Sequence, residues 1–169
     1  QRLLVPSYPQ IDRHALRAIS STLLEQSTLK VKAGFCAGKV FVRRPRSFGG
    51  RWVLNEEEVI DYLSSHGFSV CQPDKLSPFD QASLFSKMRF IIGINGSAMT
   101  NIIHAENGAE IVEIFGNRLH YGFRQIAFEL GHNHHMYFAD VDKSTITSQH
   151  GGKVRDGGVF VNVNDLKLY

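Results

Sequence analysis

Phe90-Ile91-Ile92-Gly93-Ile94-Asn95-Gly96-Ser97-Ala98-Met99-Thr100-Asn101 is the stretch that decides the fold. An apolar run ends in small and polar residues, and a helix-like segment follows at once. That pattern is a strand, a tight turn and a helix N-terminus. Such a junction leaves backbone N–H groups without intrahelical partners, and the positive end of the helix dipole falls at the same spot. Anions, phosphates above all, bind there. The turn is therefore the first candidate for a nucleotide or nucleotide-sugar ligand. The plainer reading, an ordinary strand-to-helix turn of an α/β fold, stays open on the turn alone.

Outward from the turn, short apolar runs alternate with amphipathic segments. Leu3-Leu4-Val5 reads as a strand, followed by a turn at Pro6–Pro9. Asp12 is placed to cap a helix running to about Gln26, with Leu16, Ile19, Leu23 and Leu24 on one face. Lys39–Arg43 is a strand that leads into a polar loop with Pro45, Gly49 and Gly50. Asn55 is placed to cap a helix whose first turn carries Glu56, Glu57 and Glu58, and Gly67 stops it. Phe68–Cys71 is a third strand, and Ser77-Pro78 opens a short helix. Phe90–Ile92 is the fourth strand, and the helix after the turn ends near Gly108. Glu110–Phe115 is the fifth strand, Tyr121–Leu130 a helix closed by Gly131, and Met136–Ala139 a sixth strand. Lys143–Gly158 reads as a mobile polar loop, Val159–Val161 as an edge strand, and a last helix begins at Asn164.

This alternation predicts an α/β fold, a Rossmann-like three-layer parallel sheet with helices on both faces and right-handed crossovers. Ligands of such sheets bind outside the carboxyl ends of the strands. Both the turn at Asn95 and the loop after Arg43 lie there. The 169 residues predict one domain, with a strand-helix unit over 1–30, a core over 39–140 and a loop with an edge strand over 141–169.

A net charge of +3 suits anionic ligands and is too small to argue for nucleic acid. Cys36 and Cys71 form no zinc spacing, and each sits beside apolar residues, so buried thiols are expected, a disulfide being the alternative. No run of about 18 apolar residues and no signal-peptide pattern is present. A cytoplasmic protein is expected, a Golgi or ER lumenal fragment being the alternative. Gln1 in place of Met fits a piece of a longer protein.

Several side chains are candidates for chemistry. Arg43, Arg44, Arg46 and Arg51 crowd one loop at a strand end, and Arg binds phosphate with a planar fork of donors. A solvated basic loop is the plainer alternative. Glu113 lies inside an apolar strand, where a carboxylate needs hydrogen-bonding partners unless the strand is half exposed. His132, His134 and His135 match no compact zinc site, so no metal is expected. His104 and His120 flank the candidate crevice, and either is placed for acid–base work. The P-loop, Gly-x-Ser-x-Gly and Gly-x-Gly-x-x-Gly signatures do not occur at the turn.

An ordered set of motifs resembles the catalytic region of the family 61 glycosyltransferases. Arg43 ends a strand, then come Arg51-Trp52-Val53-Leu54-Asn55-Glu56, Gly67-Phe68-Ser69-Val70 and Asp80-Gln81. Gly93-Ile94-Asn95-Gly96-Ser97-Ala98-Met99-Thr100-Asn101 looks like the family's Gly-Pro-His-Gly-Ala-Gly-Leu-Thr-Asn. Gly108-Ala109 and Val112-Glu113-Ile114 follow in order. The likeness is good over about residues 39 to 140.

The resemblance implies the donor-binding half of a GT-B-like enzyme and inverting sugar transfer in polysaccharide or glycan biosynthesis. A nucleotide-sugar donor and a glycan acceptor would be the substrates, with a missing acceptor domain or a homo-oligomer completing the enzyme. Its implied donor-binding residues are Arg43, Arg51, Asn55, Gln81, Asn95, Gly96, Ser97, Ala98, Met99, Thr100 and Asn101, with Asn95 and Glu113 catalytic. Asn95 stands where the family has His, and Asn cannot titrate near neutral pH. A non-catalytic binding module descended from such an enzyme is the competing expectation.

Overall fold

The computed structural model describes residues 11–27, 38–46, 51–117, 119–146 and 157–166. The expected strand at Leu3–Val5, the turn at Pro6–Pro9, Cys36, Gly49, Gly50 and residues 147–156 of the expected loop lie outside them. So does the end of the helix expected from Asn164.

Five parallel strands form the sheet, in the order β2-β1-β3-β4-β5. They are β1 (Lys39–Val42), β2 (Ser69–Cys71), β3 (Phe90–Ile94), β4 (Glu110–Phe115) and β5 (Asn133–Phe138). Helices α1 (Arg13–Glu25), α2 (Glu56–Ser65), α3 (Pro78–Phe85) and α4 (Gly122–Leu130) surround it, together with a 3₁₀ segment over Ser97–His104. A two-stranded antiparallel ribbon, β6 (Asp140–Val141) and β7 (Val159–Phe160), completes the chain.

Two apolar layers explain the near-continuous hydrophobic strands, because a parallel sheet covered on both sides has no wet face. Val40, Val42, Ile91 and Ile111 pack against Leu84 and Phe85 of α3, Met99 and Ile102 of the 3₁₀ segment, and Ala127 of α4. Phe41, Ile92, Ile94 and Ile114 face the other way, onto Val59 and Leu63 of α2 and onto Val159, Val161 and Leu166. The period-two alternation of β1 to β4 feeds both layers, whereas β5 at the edge is largely exposed.

Three expectations need correcting. The segment after β3 is a 3₁₀ run rather than an α-helix and stops at His104, short of Gly108. Its Met99 lies tight against the sheet: a Cβ on Gly93 would sit 2.7 Å from the Met99 sulfur. Helix α1 keeps Leu16, Leu23 and Leu24 part-buried as expected, but not Ile19. Ile19 is 50% exposed, whereas Ser20 is buried, and the Ser20 Oγ lies 2.8 Å from Nδ1 of the buried His104. Finally, β5 begins at Asn133 and so takes in His134 and His135.

Candidate functional site

Strands β2 and β3 lie on opposite sides of β1, so the chain diverges at the carboxyl ends of β1 and β3. That is the switch point at which open α/β sheets leave a crevice. A depression opens there, lined by Arg43, Arg44, Asp74, Gln81, Gly96 and Ser97. A second depression lies on the other side of the same turn, lined by Arg51, Asn95, Ser97, Thr100, His120 and Phe123. Gly96 and Ser97 border both. The Met99 N–H already donates to Gly96 O at 2.8 Å. The N–H groups of Ser97 and Ala98 open the 3₁₀ run, and the first N–H groups of a helix have no intrahelical acceptor. Gly96 lets the Arg44 guanidinium lie directly over the turn, since a Cβ there would force that side chain aside.

A buried polar chain runs from the second depression into the sheet. Arg51 Nη1 donates to Asn95 Oδ1, and Asn95 Nδ2 donates to Glu113 Oε1. Glu113 Oε2 lies 2.8 Å from His134 Nε2. Asn95 is 2% exposed and Glu113 is completely buried. Both carboxylate oxygens of Glu113 are thereby engaged, which answers the cost of burying it. The half-exposed strand weighed for Glu113 is not what the chain adopts. The order of donors also fixes the Asn95 amide, with oxygen toward Arg51 and nitrogen toward Glu113.

Other expected site residues are used structurally. The Arg43 guanidinium turns to the first turn of α2, with Nε 2.8 Å and Nη2 2.7 Å from Glu56 Oε2 and Nη2 3.6 Å from Glu57. Arg43 lines the switch-point depression, but its guanidinium is here paired with the acids that suit the dipole of α2. Asn55 does not cap α2 with its side chain. Its amide pairs with both backbone groups of Val161, at 2.8 Å and 3.0 Å.

Gln81 Nε2 donates to Pro73 O at 2.9 Å and Leu76 O at 3.1 Å, and its oxygen accepts from Asn101 Nδ2 at 2.8 Å. Asn101 also donates to Ala98 O at 3.0 Å, bracing the turn from behind. Met99 is fully buried in the core. Thr100 remains exposed and lines the second depression.

The histidines part company. His104 is buried against Ser20, and burial lowers its pKa to about 4. His132 bridges Ala109 N (3.2 Å to Nδ1) and Ile102 O (3.1 Å from Nε2), and burial again lowers its pKa, opposed by the bond to Ile102. His135 meets Glu110 at 2.7 Å. No group of three metal-ligating side chains gathers among the described residues. His120 alone of these lines a depression.

Sequence reasoning named Arg44 only within the basic cluster, not among the donor-binding residues, and His134 only as a rejected metal ligand. Arg44 follows Arg43 in the same cluster, and only the side chain's direction separates them. His134 carried one usable signal, its place two residues before Met136 in a run with strand periodicity. An earlier strand start would have set it opposite Ile111 on the same face as Glu113, diagonally within reach of its carboxylate.

The sequence model of the family described as Glycosyltransferase 61 matches residues 2–112, more than half of the chain. No curated protein matches the chain.

Proposed function

The chain belongs to the glycosyltransferase 61 family, and on that premise we propose that the groove on both sides of the Gly96–Ser97 turn holds a nucleotide-sugar donor. The domain is then the donor-binding half of a GT-B enzyme. It performs inverting transfer in polysaccharide or glycan synthesis, and a facing part of the enzyme supplies the acceptor and the base that such a transfer needs. The observation that carries this reading is convergence. Arg44 on one side, and Arg51 with the Thr100 hydroxyl on the other, flank the two opening N–H groups and the Ser97 hydroxyl of the turn. Donors so arranged suit a diphosphate, whose charge they stabilise.

Within this reading Asn95 orients rather than transfers protons, since an amide does not titrate near neutral pH. Glu113 acts through Asn95, because its carboxylate is completely buried behind it. Gln81 and Asn101 brace the turn, and Asn55 anchors the segment that carries Arg51.

Calorimetric titration with nucleoside diphosphates and their sugars tests the proposal. Binding in the micromolar to millimolar range is expected, and none at millimolar ligand overturns it. Arg51→Ala should weaken binding by about 1–3 kcal/mol, the scale of charged hydrogen bonds. Arg43→Ala should weaken it less, since Glu56 already holds that guanidinium.

A further inference from the structure

We propose that His120 is a ligand-facing hydrogen-bond donor, and that the terminal phosphoryl group of the ligand sits on its side of the turn. This rests on the donor-binding reading above.

The two sides of the turn differ in their acids, although each carries one net formal positive charge: Arg43 and Arg44 stand against Asp74 on one side, and Arg51 stands without an acid on the other. The switch-point depression includes Asp74, and the neighbouring depression around Arg43 includes Glu56, Glu57 and Glu58. The depression at Arg51 contains no Asp or Glu among its described lining residues. Glu113 lies behind Asn95 with both oxygens engaged. Arg51, Ser97, Thr100 and His120 are instead all donors or able to donate. An oxyanion prefers the side with donors and no acid, because like charge at close range costs what the donors contribute.

His120 is also held in a defined way. The Gly122 N–H donates to its Nδ1 at 3.3 Å. The ring lies so close to the start of α4 that a Cβ on Gly122 would be 2.6 Å from Cε1. The Phe123 ring stands 6.1 Å away, centre to centre. With Nδ1 accepting, the neutral ring carries its proton on Nε2. That N–H is the ring's remaining hydrogen-bonding group, and it is a donor. Asn95 in the same depression has its own amide committed at both ends, so His120 joins Ser97 and Thr100 as a side chain able to donate there.

Calorimetry on the full chain with inorganic pyrophosphate, UDP and GDP is the test. His120→Ala should weaken the diphosphates that bind by about tenfold, the size of one charge-assisted hydrogen bond. His120→Gln, whose amide donates, should recover a good part of that loss. Gly122→Ala should mimic His120→Ala by displacing the ring while leaving the helix intact. Unchanged affinity in His120→Ala, with wild-type binding present, overturns this proposal and leaves the donor-binding reading standing. If wild type binds none of the three probes at millimolar concentration, both fall. Equal thermal midpoints across the variants will exclude a folding defect, since His120 is exposed.

Discussion

At the scale of single residues, the chain spends its buried polar groups in pairs that need a fixed protonation state. Nδ1 of His132 accepts from Ala109, so protonation there destroys a bond as well as burying a charge. His104 and His132 both have folded pKa values below the ordinary 6.5, each chiefly through burial. The unfolded chain therefore binds more protons than the folded one between about pH 4 and 6.5, and stability must fall as pH drops through that window. Stability is fully present above pH 6.5, and His104 accounts for a loss of up to roughly 3 kcal/mol by pH 4. Urea midpoints from pH 4 to 8 should rise and then level, and His104→Gln should flatten the slope. Glu113 poses the complementary test. Removing its carboxylate in Glu113→Ala strands Asn95 and His134 and should cost roughly 3–5 kcal/mol; a loss below about 1 kcal/mol would mean both find other partners. The sequence could show that Glu113 needs partners, because a charge among Ile111, Val112 and Ile114 is conspicuous. It could not show that Asn95 and His134 are those partners, since strand order decides which residues meet.

At the scale of elements, the 3₁₀ segment is the piece that adapts the sheet to a site. An α-helix after β3 would point its opening N–H groups along one axis. The tighter 3₁₀ winding instead drops Met99 onto Gly93 and Val42. Gly93→Ala should therefore cost about 1–3 kcal/mol through overpacking. The double variant with Met99→Ala should cost less than the sum of the two single losses, because the truncated side chain no longer meets the new Cβ. Strict additivity in a double-mutant cycle would show that the segment shifts freely instead. Most elements were legible from local signals: Asp12 capping α1 through His14 and Ala15, Ser77-Pro78 opening α3, and left-handed glycines at Gly67 and Gly131. The 3₁₀ character was not, because Ser97–His104 has the apolar spacing of an ordinary helix and only close packing on Gly93 tightens it. The start of β5 was missed for a similar reason. Its histidines look polar in sequence, but each finds a carboxylate on β4.

At the scale of the whole molecule, the family match ends at residue 112, and the chain from there on is sewn back onto the matched part. Val159 bridges Val53, with Leu54 N donating to Val159 O at 2.8 Å and Val159 N to Trp52 O at 2.9 Å. Asn55 pairs with Val161 in both directions, and Tyr62 Oη reaches Leu166 O at 3.3 Å. Val159, Val161 and Leu166 fill the layer over Phe41 and Ile114. The segment 157–166 thus acts as a strap over residues 52–55, next to Arg51. The polar chain crosses the same boundary, with Arg51 and Asn95 inside the matched span and Glu113 and His134 beyond it. A change at Asn55, one of the strap's anchors, should therefore be felt at the groove without touching a ligand. Asn55→Ala removes two part-buried hydrogen bonds to Val161 and an exposed one to Glu58, and should lower stability by about 1–3 kcal/mol. Hydrogen exchange should rise at Leu54, Val159 and Val161 and stay unchanged at Ile91 and Ile111 in the sheet centre, because the strap opens locally. Pyrophosphate affinity should fall along with it, since Arg51 loses its anchored neighbour. Faster exchange with unchanged affinity would separate the two, making the strap a cover for the apolar layer and leaving Arg51 positioned independently of it.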